Sequence, residues 1–417
     1  MSAPASIRDV ITAEGGRVTF ARFMEMALTH PTLGYYSQAD RLLRYGGDFN
    51  TAPALSPFFN RTLARLVTEL VDVSLSTPPS GSDPAFWGAE PPAVLELGGG
   101  EGHLAAAVLG FWERERPDLL GKIAYRIVEV GARLQDTQAK AVAPLVAAGW
   151  DVGWGHGLEQ ACAGTRPVVI VANEFLDAVP VHLLRVDSGV LREGYVDAVA
   201  PGLEQAWGPL SQQAAAEVEF LFGTLDPLLL AVSTADGVLE VSIGLGDLVR
   251  RVAAVMPSGT LVNVDYGEWF RGVPRAGECC GTEERAPRRR TIRGYFKHQL
   301  VLDPLARPGR QDLTADVDFA ALDLHGRQHG FETVLFTTLA SFLRGGGAEA
   351  ELEALRAGTA MPAPGDADAL EAPGLDGAAD ALKADVLEAD RQATVIENLL
   401  DERDLGSAFK LMVQVRE

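Results

Sequence analysis

Three cysteines in 417 residues, Cys162, Cys279 and Cys280, cannot build a disulfide framework, which excludes the small stapled folds of secreted proteins. Cys279 and Cys280 are adjacent, without the spaced pairs that hold zinc, so no metal is expected. Positive charge is also scarce. Lys and Arg number 36 against 57 Asp and Glu, a net charge of −21 that excludes nonspecific binding of DNA or RNA through a basic surface. No uncharged apolar run is long enough to cross a bilayer, and no membrane partner is expected. The N-terminus carries Arg8, Asp9, Glu14 and Arg17 among small residues, without the apolar centre of a signal peptide. A cytoplasmic protein is therefore expected.

What is present is enough apolar residue, 47%, to bury a sizeable core, in a chain longer than the usual single domain. The most informative stretch is Val94 to Ala105. Pro91 and Pro92 precede a short apolar strand, Val94 to Leu97, and glycines at 98, 99, 100 and 102 make a turn. Leu104, Val108, Phe111 and Trp112 then fall at helical spacing. Strand, glycine turn and helix bring backbone N–H groups and a helix N-terminus up to a ligand, although such turns also serve close packing. The position of a third dinucleotide-type glycine is taken by His103. Gly98, Gly100 and Gly102 after Glu96 instead resemble the first motif of class I S-adenosylmethionine (AdoMet) methyltransferases.

Around this stretch the pattern alternates. Strands are expected at Ile123 to Glu129, Asp151 to Trp154, Pro167 to Ala172 and Gly259 to Tyr266, with helices between them. That alternation predicts an α/β fold with a mostly parallel, doubly wound sheet whose ligands sit at the carboxyl ends of the strands. Residues 1–85 read as a mostly helical region, in which Phe20, Phe23, Met24 and Ala27 form a core stripe and Phe58 to Leu75 a further helix. Residues 86–417 read as the catalytic domain. It carries an insertion at 181–250, opened by a hairpin of His182 to Val186 and Val190 to Val196, and a flexible or loosely helical excursion at 345–385.

Acids at strand ends carry the chemistry. Glu129, at the tip of the second strand, either faces water or, as its spacing about thirty residues beyond the first glycine favours, accepts hydrogen bonds from both hydroxyls of a ribose. Asn173, Glu174 and Asp177 follow the apolar strand Val168 to Val171, at the edge where a methyl group would be handed over. If the acceptor is a guanidinium, whose pKa exceeds ~12, carboxylates must orient it and take its proton. Asn173 could equally cap a helix, with Glu174 and Asp177 on one face of its first turn. The loop holding Asp48, Thr51 and Ser56 reads either as a surface connection or as a ligand cover.

Seven segments, in order, make the resemblance specific. They are Gly34 to Tyr36, Gly47 to Pro53, Glu96 to Leu104, Ala172 to Pro180, Val264 to Gly267, Thr291 to Tyr295 and Asp312 to Phe319. Together they resemble the MidA-type AdoMet methyltransferases, the family of the mitochondrial complex I assembly-factor protein arginine methyltransferase. The likeness runs from about residue 18 to 343 and resumes near Leu405.

The resemblance implies a Rossmann-like class I methyltransferase sheet of seven strands with an N-terminal helical region and inserted elements, and S-adenosyl-L-methionine as cofactor. It implies that Gly47, Asp48, Thr51 and Pro53 help enclose the cofactor beside Glu96 and the glycine turn, and that Glu129 holds its ribose. Asn173, Glu174 and Asp177 would be catalytic. Asp265, Tyr266, Arg293, Tyr295 and His298 would line a substrate cleft. The implied partner is a protein with an accessible arginine, such as a subunit of a respiratory complex I-type assembly. An AdoMet-binding assembly factor and a small-molecule methyltransferase are the alternatives. The sequence departs from the family after Ser56, after Thr337 and from 345 onward, on the acceptor side more than the AdoMet side.

Overall fold

The computed structural model describes residues 5–37, 56–76, 90–223, 226, 237–270, 290–297, 299–359, 376–403 and 405–417. Seven strands form the central path of its main sheet: β1 Pro92–Leu97, β2 Ala124–Val128, β3 Asp151–Gly155, β4 Arg166–Asn173, β5 Gly259–Glu268, β6 Glu332–Thr338 and β7 Phe409–Arg416. Their order is β3-β2-β1-β4-β5-β7-β6, and an eighth strand, Val317–Asp318, pairs in parallel with the end of β5. The first five strands are mutually parallel, and β7 runs antiparallel between β5 and β6.

The strand order reverses between β1 and β4, where two half-sheets wind away from each other and a crevice opens at the strand ends. Both faces are covered, which explains why β4 is buried along nearly its whole length instead of alternating with solvent. On one face Val94, Val169 and Val262 pack with helices Pro57–Ser76 and His103–Glu115; on the other Leu95, Ile170 and Leu261 pack with Ile243–Val255 and Phe319–Gln328. Successive residues of each strand thus serve opposite cores.

Trp112 locks the first of these faces. It is fully buried, its indole N–H donates to Thr68 Oγ1 at 2.9 Å, and its ring meets Tyr125 edge-on at 6.2 Å. Trp112→Ala would remove this anchor and leave a cavity, so a loss of about 3–5 kcal/mol in unfolding free energy is expected from denaturant titration.

The insertion builds a second sheet. Strands His182–Asp187, Val190–Ala198, Leu203–Gly208 and Val238–Val241 join Arg17–Thr19 from the N-terminus. Helix Phe20–Thr29 lays Phe20, Phe23, Met24 and Ala27 onto this sheet, sharing a core with Leu183 and Val196. Helix Pro57–Ser76 instead belongs to the main core, so the N-terminal 85 residues supply two different layers.

In the stretch 345–385, expected to be a flexible or loosely helical excursion, Ala348–Thr359 is a regular helix. Ala348 and Leu352 are buried in the main core with Ile396 and Leu399 of helix Asp376–Leu400. An Ala/Glu-rich composition reads as flexible because its apolar stripe is thin, yet small side chains allow the two helices to approach closely.

Candidate active site at the carboxyl edge of the sheet

The glycine turn is built against its neighbours. Gly98 N–H donates to Val128 O at 2.9 Å, tying the turn to β2, and Gly98, Gly100 and Gly102 all have positive φ, at 70°, 50° and 88°. A Cβ on Gly98 would lie 2.7 Å from Phe175, and one on Gly102 3.0 Å from the backbone of Gln138. Gly100 differs, since a Cβ there would meet nothing within 4 Å. Packing requires glycine at 98 and 102, while the backbone at 100 faces open space, where a ligand can approach.

Two acids flank the turn. Glu96 lies beneath it, 3% exposed, and accepts from the Tyr125 hydroxyl at 2.8 Å. Burial pushes its carboxyl up to about 7, against the lowering effect of the Tyr125 bond and with some repulsion from Glu129. Glu129, buried at the end of β2, accepts from Gly131 N–H at 2.8 Å and from the Gln138 amide at 3.2 Å. Burial raises its carboxyl as well, and those donors offset the rise. With the Val130 N–H as a third donor, the carboxylate still keeps accepting capacity for a hydroxyl group.

The proton held by Glu96 has a stability consequence. Its folded pKa, about 7, exceeds the ordinary 4.5, so the folded protein binds this proton more tightly than the unfolded chain. Glu96 therefore penalises folding as pH rises from 4.5, and the penalty is complete above about 7. Glu96→Gln keeps an acceptor for Tyr125 and removes the charge. The ligand-free variant should match wild type below pH 4.5 and gain about 3 kcal/mol by pH 8, read from denaturation at both pH values.

On the acceptor side, β4 ends at Asn173 and the chain turns sharply. Glu174 has φ +47°, and its N–H donates to Val264 O at 2.8 Å. A single helical turn, Leu176–Ala178, follows only after Phe175. Asn173 is therefore the last residue of a strand, not a helix cap, and Glu174 and Asp177 do not share one face of a helix. The Asn173 side-chain oxygen is buried with no hydrogen-bond partner among the described residues.

Asp265 explains the turn and corrects its expected place in the cleft. It is fully buried, and its carboxylate accepts from the backbone N–H groups of Phe175, Leu176, Asp177 and Tyr266 at 2.8–3.2 Å. Three of those bonds fall on Oδ2 and one on Oδ1, so the Asp265 carboxylate ties down the loop that follows β4. Burial first, then repulsion from Glu174, raises its carboxyl to about 7. Asp177 is buried too and pushed well up, first by burial and then by Asp265 and Asp312, with Arg293 opposing.

Tyr266, Arg293 and Tyr295 come together beside this loop. Arg293 donates to Asp316 at 2.6 Å and to Tyr295 Oη at 3.1 Å, and its guanidinium lies 5.9 Å from the centre of the Tyr266 ring. Tyr295 sits opposite Asp312 in a small antiparallel sheet. Gly47, Asp48, Thr51, Pro53 and His298 lie outside the described residues. Ser56, read with that loop, is buried and caps helix Pro57–Ser76 through the N–H of Phe59 at 3.2 Å.

Two residues not singled out from the sequence join the halves of the site. Phe175 packs on Gly98, so the loop after β4 rests directly on the glycine turn. Tyr36 donates its hydroxyl to Asp312 at 3.0 Å, while its carbonyl lies 3.2 Å from where a Cβ on Gly131 would sit, next to Glu129. Both readings needed the fold, because Tyr36 and Asp312 are 276 residues apart.

Comparison with known proteins agrees with this geometry. Residues 84–337 match the model of an S-adenosyl-L-methionine-dependent methyltransferase family. The mitochondrial protein arginine methyltransferase NDUFAF7 of Mus musculus is 29% identical over 326 residues, 74% of this chain. The chain spans 66% of that mouse protein's length. The Danio rerio protein of the same name is 26% identical, with 82% of this chain and 75% of the relative covered. Among solved structures, a methyltransferase-superfamily protein from Burkholderia thailandensis, bound to S-adenosyl-homocysteine, superposes with a TM-score of 0.68. It is 27% identical, and the match covers 100% of this chain and 95% of that one.

These relatives overturn the expected cytoplasmic location, since the curated ones are mitochondrial proteins. The physical signals behind that expectation do not discriminate, because few cysteines fit any reducing compartment. Among the described residues no helix is long and apolar enough to cross a membrane.

Proposed function

The chain belongs to the S-adenosyl-L-methionine-dependent methyltransferase family, and from that premise we propose that it methylates an arginine side chain of a partner protein. S-adenosyl-L-methionine supplies a methyl group made electrophilic by its sulfonium. The residues present fit that cofactor, with open space above the Gly100 backbone and a buried Glu129 carboxylate that retains accepting capacity. Glu129 would hold ribose hydroxyls, and the N-terminus of helix His103–Glu115 would lend its dipole to the cofactor's carboxylate end.

The observation that carries the arginine reading is the crowding of carboxyl groups beyond β4 and β5. Glu174, Asp177, Asp265 and Asp312 repel one another there, and Arg293 opposes them while it is itself bonded to Asp316. Buried acids that raise each other's pKa are relieved by a cation. A guanidinium entering beside Glu174 and Asp177 supplies that positive charge, and Asn173 Oδ1 offers it an acceptor.

As the nitrogen attacks it must lose a proton, and a carboxylate within reach takes it. Alignment does the rest, because an in-line methyl displacement gains more from orientation than from acid or base. The rigid loop held by Asp265 and seated on Gly98 provides that orientation. The names of the mouse and zebrafish relatives support arginine as acceptor. The implied partner is a subunit of a complex I-type assembly, the partner class that the family resemblance suggests. Mass spectrometry of cells with and without the protein tests the reading: loss of methyl-arginine from one or a few proteins is expected, and unchanged arginine methylation would refute it.

A further inference from the structure

Helix Ala132–Ala147 buries Leu134, Gln138 and Val142 at helical spacing, and the middle one is polar. Gln138 is fully buried. Its amide nitrogen donates to Gly100 O at 2.9 Å and to Glu129 Oε2 at 3.2 Å, and its amide oxygen accepts from Trp154 Nε1 at 2.9 Å. The indole N–H can only donate, which fixes which end of the amide is oxygen. Gly99 and Gly102 close around it: a Cβ on Gly99 would meet its amide nitrogen at 2.9 Å, and one on Gly102 its own Cα at 3.0 Å.

We propose that Gln138 is a positioning residue for cofactor binding, aiming the Glu129 carboxylate and holding the Gly100 carbonyl side of the turn in one geometry. The inference rests on the AdoMet-dependent reading and adds the part that makes its two binding elements a single unit. Both amide hydrogens and the amide oxygen are engaged, and each partner lies on a different element: the glycine turn, the end of β2, and β3. A carboxylate in water samples several rotamers. With Gly131 N–H on one oxygen and Gln138 on the other, Glu129 holds one. An apolar side chain on this stripe would pack as well, so packing alone gives no reason for the amide.

The test uses the full chain and measures S-adenosyl-L-methionine affinity by calorimetry from about pH 9 down to about pH 5.5, a range that brackets raised carboxyl pKa values. Gln138→Leu should weaken binding at least about tenfold at every pH, the cost of buried groups left unpaired. Gln138→Glu should bind weakly at alkaline pH, because the introduced carboxylate would face both Glu129 and the Gly100 carbonyl. Acidification should restore binding toward wild type, since the introduced carboxyl, once protonated, can donate to Glu129 while still accepting from Trp154.

Glu96 and His156, the other titratable groups that act on Glu129, are unchanged in both variants, so the ratio to wild type at each pH is the readout. An amide that only filled space would leave wild-type affinity in Gln138→Leu. Wild-type affinity in Gln138→Leu, or a Gln138→Glu defect that stays flat with pH, would overturn the role. Should Gln138→Leu fail to fold, the pH profile of Gln138→Glu still decides. If wild type itself bound no S-adenosyl-L-methionine, the parent reading would fall with it.

Discussion

Glu129→Ala should weaken S-adenosyl-L-methionine binding by about a hundredfold or more. The side chain is buried at the end of β2, so it is already desolvated and fixed before any ligand arrives. Hydrogen bonds from hydroxyls to a charged acceptor contribute about 1.5–3 kcal/mol each, and two of them correspond to a factor of at least about a hundred. Alanine also leaves the Gly131 N–H and the Gln138 amide without their acceptor, which loosens the neighbouring turn. Glu129→Gln separates these effects, because its carbonyl still accepts while the charge is lost, and an intermediate affinity is expected. Calorimetry reads both variants. An alanine variant within threefold of wild type would remove Glu129 from the cofactor site.

Glu174→Ala should leave cofactor affinity within a few-fold and lower methyl transfer by about a hundred- to ten-thousandfold, the range of a positioned proton acceptor. The backbone is a fair control here. At φ +47° glutamate and alanine meet the same Cβ crowding, so the substitution adds no conformational strain. The loop itself is gripped by Asp265 and by the bond from Glu174 N–H to Val264 O, neither of which involves the Glu174 side chain. Transfer of labelled methyl from S-adenosyl-L-methionine to a partner protein is the measurement. Full activity in the variant would exclude Glu174. Loss of transfer with the cellular effect of the protein intact would show that holding the partner, not methylating it, is what the cell needs.

The glycine turn and the strand ends beside it were legible before any coordinates, and the loop after β4 was read less well. Gly98, Gly100, Gly102 and Glu129 lie within one strand–turn–helix–strand unit, where spacing along the chain nearly equals spacing in space. Gln138 belongs to the same unit and still escaped notice, although a glutamine on the apolar stripe Leu134, Gln138, Val142 was a signal available in the residues. Asp265 was expected in the cleft from the family resemblance, whereas its carboxylate turns back to four backbone N–H groups. No pattern in a single sequence separates an acid that caps a loop from one that meets a substrate.

The sequence by itself determined the doubly wound sheet, the family and the cofactor, since each follows from local alternation and from motifs in order. Only the tertiary structure decided which acids crowd together. Tyr36, Glu174, Asp265, Arg293 and Asp312 come from five separate stretches of chain: Glu174 and Asp265 from the carboxyl ends of β4 and β5, Arg293 and Asp312 from the small antiparallel sheet, and Tyr36 from the N-terminal region. It also decided that the loop after β4 rests on the glycine turn through Phe175 and Gly98. That contact joins distant segments, and the energies around it, burial and repulsion among carboxyl groups, exist only once the chain has folded.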